Sequence, residues 1–244
     1  VAFKAMIDDL ARDHLPLENL IINLDATGAT VEYLQGMPVV RDIDGHVAII
    51  DDSMRIDAVG GHIGNLTSER SVLSMERLNG SKGMLVGVEM RGPAREVLEL
   101  ASREPYALTG KVGLDPELVS GSFSGRLELV VPRLVDLVPA DVLYRIAVDV
   151  IDVELTTGFR GFEVDGANGL LILDPGTARL DGNFRLNGVP FVASYFHDFA
   201  PDAGVIRTVN LQGSVGEEER AALGLVDPID MKGAVDIVLD MSQA

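Results

Sequence analysis

The 244-residue chain contains no cysteine and no tryptophan, and its aromatic content is only 5%. Without thiols there is no disulfide, no thiolate nucleophile and no cysteine-ligated metal centre, which leaves metal chemistry to four histidines and the carboxylates. Basic residues are scarce, 20 against 38 acids, and the formal net charge of −18 repels phosphate backbones and anionic lipid surfaces alike. Nucleic acid is excluded as a partner on that ground. No stretch approaches the roughly 20 uncharged apolar residues of a membrane-spanning helix, and no charged-then-apolar signal segment stands at the start. The chain opens with Val1 instead of Met and stops at Ala244 just past an apparent strand, as expected of a piece of a longer protein whose anchor or export signal lies outside it.

Motifs for catalysis are equally short. His14, His46, His62 and His197 show neither HxH nor HExxH spacing. Gly121-Ser122-Phe123-Ser124-Gly125 puts Phe where a serine-hydrolase elbow needs its nucleophile. There is no Gly-Lys-Ser/Thr phosphate loop, and Gly166-Ala167-Asn168-Gly169 lacks the spacing of a dinucleotide fingerprint. Asp51-Asp52 and Asp149 with Asp152 are paired acids of the kind that 38 carboxylates make unavoidable. His197-Asp198 most resembles catalytic chemistry, but it ends an alternating strand and reads as a loop pair. The expectation is a protein that is not an enzyme, with no cofactor and no metal.

What is present is 47% apolar residues, rich in Val, Ile and Leu, with 26 glycines, a composition that leans towards strands and turns. Period-two alternation is clearest in Ala178-Arg179-Leu180-Asp181-Gly182-Asn183-Phe184-Arg185-Leu186, where apolar or small residues hold every even position. Asn187-Gly188 then signals a tight hairpin, and Val189, Phe191, Ala193 and Tyr195 alternate along the return strand. Met84, Val86, Val88 and Met90, then Leu127, Leu129 and Val131, then Val209 and Leu211, then Val235, Ile237 and Leu239 read the same way. Between Val148 and Leu155 the apolar phase switches sides, which predicts a bulge. Turns are expected at Asp44-Gly45, Asp115-Pro116, Asp165-Gly166 and Asp174-Pro175-Gly176. Short helices are expected over Ala2 to Arg12, Pro93 to Arg103 and Glu217 to Leu223, the last with acids at its N-terminus and Gly224 after its end.

Landmarks recur half a chain apart: Gly36 with Gly158, Asp44-Gly45 with Asp165-Gly166, Asp52 with Asp174, Gly60 with Gly182 and Gly92 with Gly213, at offsets of 121 or 122. Chance recurrence of Gly and Asp turns in a β protein is the alternative. A repeat gives an N-terminal helix and lead-in strand over residues 1–35, a first β-rich unit over 36–135 and a second over 136–244. The fold expected is mainly β, repeated antiparallel strands forming a long curved, twisted sheet with two or three short helices.

The stretch "ARLDGNFRLNGVPFV" from Ala178, then "SYFHDFAPDAGVIRTVNLQGSV", the acidic "EEERAALGL" and "KGAVDIVLD", resembles the AsmA-like superfamily, in particular the YhdP-type (TamB/YhdP-like) envelope proteins of Gram-negative bacteria. The likeness is best from Gly158 to Asp240 and looser from Gly36 to Val131. It implies a periplasmic segment, anchored to the inner membrane from outside this chain, with strands curled into an apolar β-groove. Such a groove shields phospholipid acyl chains on their way to the outer membrane. The partners implied are phospholipid, neighbouring repeats of the same chain and membrane proteins of the envelope, and bare strand edges would allow a homodimer. The groove would be lined by Val86, Val88, Leu127, Leu129, Leu180, Phe184, Leu186, Phe191, Tyr195, Val209, Leu211, Val235 and Ile237. The same residues could instead fill a closed β-sandwich core, making the chain a structural or outer-membrane assembly module.

Overall fold

The computed structural model describes residues 21–33, 36–78, 81–103, 115–134, 141–159, 162–200, 206–225 and 232–243. The helix expected over Ala2 to Arg12 lies outside them. The protein is mainly β. Its strands are β1 (Ile21–Val31), β2 (Val40–Ile50), β3 (Ser53–Ile63), β4 (Leu66–Leu78), β5 (Ser81–Pro93), β6 (Val119–Val131), β7 (Leu143–Phe159), β8 (Phe162–Leu173), β9 (Thr177–Leu186), β10 (Val189–Asp198), β11 (Arg207–Val215) and β12 (Val235–Gln243). They follow one another in chain order within a 12-stranded antiparallel sheet. Helix α1 (Ala94–Ser102) lies between β5 and β6, and α2 (Glu217–Ala222) between β11 and β12. The described residues fall into two compact units, one within Val1–Met90 and Arg126–Arg145, the other within Arg91–Gly125 and Ile146–Ala244.

Five strands, a helix and a strand therefore occur twice. The repeat is written in hydrogen bonds as well as in element order. In β1 the register slips between Ala26 and Ala29, opposite Gly45 and Ile43; in β7 it slips between Val150 and Val153, opposite Gly169 and Ala167. The extra residue of each bulge offers its N–H to a side chain of the next strand, Gly28 to Asp44 Oδ1 at 2.8 Å and Asp152 to Asn168 Oδ1 at 3.1 Å. All these positions are related by a step of 124, from 28 to 152 and from 44 to 168. The phase switch expected between Val148 and Leu155 is this bulge, with Asp152 at φ 49.

The bulges correct two turn expectations. Asp44-Gly45 lies inside β2, where Asp44 caps the bulge of β1, so its structural counterpart is Asn168-Gly169 and not Asp165-Gly166. Asp165-Gly166 also lies inside a strand, at a register slip in β8, with Gly166 at φ 57. By contrast Asn187 (φ 50) and Gly188 (φ 81) make the tight hairpin between β9 and β10, and Asp174-Pro175-Gly176 turns between β8 and β9, with Asp174 Oδ1 accepting from the N–H groups of Gly176 and Thr177. Asp115 caps the 3-10 turn Pro116–Leu118 through its carboxylate.

Helix α1 begins after Pro93, which sets an extended φ of −63 and donates no hydrogen bond of its own. A six-residue helix such as α2 has no stability in isolation and stands on its packing. Glu217, Glu218 and Glu219 meet the positive end of its dipole, and the Glu219 carboxylate accepts the N–H of Gly216. Gly224, at φ 67, ends it. Arg220 is buried and donates to the carbonyls of Val215 (3.3 Å) and Gly233 (2.8 Å), tying the helix to the strands on either side.

Candidate functional site

Directly opposed residues of an antiparallel pair leave the same face, so the register defines what each face carries. In the second unit one row crosses the strands as Val148, Leu171, Leu180, Tyr195, Val209 and Met241. The neighbouring row runs Val150, Gly169, Gly182, Ala193, Leu211 and Leu239. Beyond it Phe184 faces Phe191, Gly213 faces Ile237, Leu186 faces Val189, and Val215 faces Val235. Nine residues expected to line a groove are thus brought onto one surface: Leu180, Phe184, Leu186, Phe191, Tyr195, Val209, Leu211, Val235 and Ile237. The other four belong to the first unit. There Arg126 and Glu89 pair at 3.2 Å on one face of β5 and β6, and alternation puts Val86, Val88, Leu127 and Leu129 on the opposite face, with Met84.

Glycine makes room for close backbone approach on the apolar side. A Cβ added to Gly169 would stand 2.6 Å from the Asp181 carbonyl oxygen and 2.9 Å from Gly182 Cα. One added to Gly125 would stand 2.9 Å from the Ala147 oxygen and 3.3 Å from Val148 Cα. Neighbouring backbone thus crosses in front of these positions, so the second unit's sheet bends towards its apolar face there.

Among the described residues, the apolar face is closed at one end and uncovered elsewhere. Val189, Phe191 and Val215 are buried, Val215 to 0% exposure, under Leu223 at the end of α2 and against the Phe184 ring, whose centroid is 6.1 Å from that of Phe191. Leu186, Val235 and Ile237 pack against that cluster. Leu180, Tyr195, Val209 and Leu211 are half-buried, and at β12 Leu239 and Met241 are 43% and 47% exposed. A face-to-face sandwich would bury such central positions almost completely. The first unit is closed further along its face: Val47, Ile49, Met54 and Met75 form a buried cluster with Ile22, Ile56, Leu73, Met84 and Leu134 against it.

Charge lies on the opposite face. His46 pairs with Asp25 (2.8 Å), Arg55 with Asp57 (2.7 Å), Arg126 with Glu128 (2.9 Å), Arg179 with Asp181 (2.5 Å) and Arg185 with Asp165. The Arg55 hydrogen bond holds the Asp57 carboxyl below its ordinary range, and Asp181 in the same way raises Arg179. These pairs reach solvent, which screens them, so they add little to stability. A shallow cleft of about 340 Å³ is lined from the polar face by Asn183, Arg185 and Gln212 and from the apolar face by Phe184, Phe191 and Gly213. Among the described residues no group of three or more His, Asp or Glu is placed to hold a metal ion, and no helix is long and apolar enough to cross a membrane.

Sequence reasoning omitted several floor residues. Val148 and Leu171 lie in the phase-switched region or in a strand with no clean alternation, and Met241 sits near the chain end. It also missed how the face finishes. The outermost row, Ile146, Leu173, Ala178, His197, Arg207 and Gln243, turns polar along β10 to β12. His197 and Asp198 belong to β10 itself rather than to a loop, and His197 Nδ1 lies 3.1 Å from the Tyr195 hydroxyl on the same face. No family model matches the chain, and neither a curated protein nor a solved structure matches it.

Proposed function

We propose that this chain binds phospholipid acyl chains along the uncovered apolar face of its second unit, as a periplasmic segment of a longer, inner-membrane-anchored AsmA-like protein that moves lipid to the outer membrane. The observation that carries the reading is the set of uncharged rows over six antiparallel strands, half-exposed in the middle and bounded at one end by α2. Exposed apolar surface of this extent costs free energy in water, roughly 25 cal/mol per Å², and a bound hydrocarbon chain removes that cost. From Ala193 to His197 the open floor along β10 is about 13 Å long at roughly 3.3 Å per residue. That is close to the ~15 Å that an acyl chain spans in one half of a ~30 Å hydrocarbon core. The action is by contact area and needs no chemical step. The resemblance of Gly158 to Asp240 to YhdP-type units supplies the lipid class, the direction of transport and the compartment.

A structural or assembly role draws on a different observation, the closed cluster of Val47, Ile49, Met54 and Met75 in the first unit, which leaves no floor to bind at that end. Native mass spectrometry of the purified protein separates the two. Phospholipid co-purifying at defined stoichiometry and displaced by detergent supports binding. A mass that stays ligand-free after incubation with phospholipid vesicles leaves the module as a spacer or partner surface.

A further inference from the structure

We infer that the polar end of the apolar face, Tyr195, His197 and Arg207, holds the phosphodiester group of the lipid whose acyl chains lie on the floor. The inference rests on the acyl-chain reading and adds which part of the lipid is fixed and where. In the paired registers of β7 to β12 the carboxylates of Asp149, Asp165, Asp181, Asp236 and Asp240 all leave the opposite face, so these acids are turned away from the floor. On the floor side, Arg207 is the one formal charge in those registers. Arg207 stands directly opposite His197 in the β10–β11 register, a spacing that places the two side chains roughly 5 Å apart at their Cβ atoms.

Arg207 is exposed and has no acidic partner among the described residues, unlike Arg179 and Arg185 on the other face. His197 and the Tyr195 hydroxyl, 3.1 Å apart, add donors on the same surface, and the Phe199 ring lies 4.7 Å from that of His197. A planar guanidinium flanked by an imidazole and a phenol suits the two non-bridging oxygens of a phosphodiester. The first unit lacks this end. In β4 the equivalents of Tyr195 and His197 are Leu73 and Met75, both within the buried apolar cluster, so this part of the polar rim is particular to the second repeat.

Mixed vesicles of dioleoyl phosphatidylglycerol and dioleoylglycerol, equal in acyl chains and different in the phosphate, provide the test. Lipid carried by the protein is counted by mass spectrometry, with inorganic phosphate as a third probe. The expected result is a preference of about tenfold or more for the phospholipid, the size that one charge-assisted hydrogen bond gives. Arg207→Gln should abolish that preference while dioleoylglycerol is still carried. Arg207→Lys should retain part of it, and circular dichroism should be unchanged in both. Equal carriage of the two lipids by the unmodified protein overturns the rim and leaves the acyl-chain floor standing. Carriage of neither overturns the floor itself. Inorganic phosphate binding that depends on Arg207, without any lipid preference, overturns the assignment to a lipid phosphate.

Discussion

Val209 and Val215 lie on the same strand and the same face of β11, six positions apart, yet one is half-buried on the open floor and the other is 0% exposed beneath α2. Valine-to-alanine substitution at each removes the same two methyl groups, worth about 1.6 kcal/mol at roughly 0.8 kcal/mol per group when fully buried. At Val215 the void is enclosed by Val189, Phe191 and Leu223, and about 24 cal/mol per Å³ of unrelaxed cavity brings the total loss to roughly 2–2.5 kcal/mol. At Val209 water already reaches the side chain and no enclosed cavity can form, so the expected loss is about 0.5–1 kcal/mol. Melting temperatures should then differ by about 3–6 °C, at 2–4 °C per kcal/mol for a chain of this size. Thermal melts of the two variants, with amide hydrogen exchange in β11 to localise the effect, measure the difference. Equal losses would refute the reasoning, because they would mean that Val209 is covered as fully as Val215.

Other consequences follow from the same geometry. Leu180→Asp should leave the circular dichroism spectrum intact while abolishing lipid carriage, whereas Leu186→Asp should unfold the second unit, since Leu186 packs against the closed cluster; both are read by far-UV spectra and lipid counting. Gly169→Ala should cost about 1–3 kcal/mol in urea denaturation, because its Cβ meets the backbone of β9 and not a movable side chain. Asp44→Ala and Asn168→Ala should destabilise their units by similar amounts, about 1 kcal/mol each, through the bulge N–H each caps. The Asp57 carboxyl is held below its ordinary value of 3.8 by Arg55, so its small stabilising effect is present above that pH and is lost as pH falls through the lowered value. Arg55→Ala should therefore return the Asp57 carboxyl towards its ordinary value, which an NMR titration of Asp57 reads directly.

Much of this architecture was legible because alternation, Asn187-Gly188 and Asp174-Pro175-Gly176 act over a few residues. The strands β5, β6, β9, β10, β11 and β12 and both described α-helices lie where side-chain periodicity and capping placed them. The repeat was visible but offset by two or three residues, because a Gly-centred pattern cannot distinguish a turn from a glycine that a neighbouring strand crowds. Asp44-Gly45 looked like a turn and is a bulge cap inside β2. Which end of the face is closed depends on Leu223 reaching back onto Val189 and Val215, a contact between segments distant in sequence that no local pattern encodes. For the same reason Leu186 and Phe191 looked interchangeable with Leu180 in the sequence, and only the packing separates plug from floor. The approach of Arg207 to His197 needs the β10–β11 register, which the residues between those strands do not specify.

Photo-crosslinking from single positions along β11 tests the central claim most directly. A benzophenone side chain placed in turn at Val209, Asn210, Leu211 and Gln212 samples the two faces alternately within one strand. With radiolabelled phospholipid, illumination should give lipid adducts from 209 and 211 and none above background from 210 and 212. Adducts at all four positions in equal yield, or at none while the variants stay folded, would contradict an apolar face that binds acyl chains.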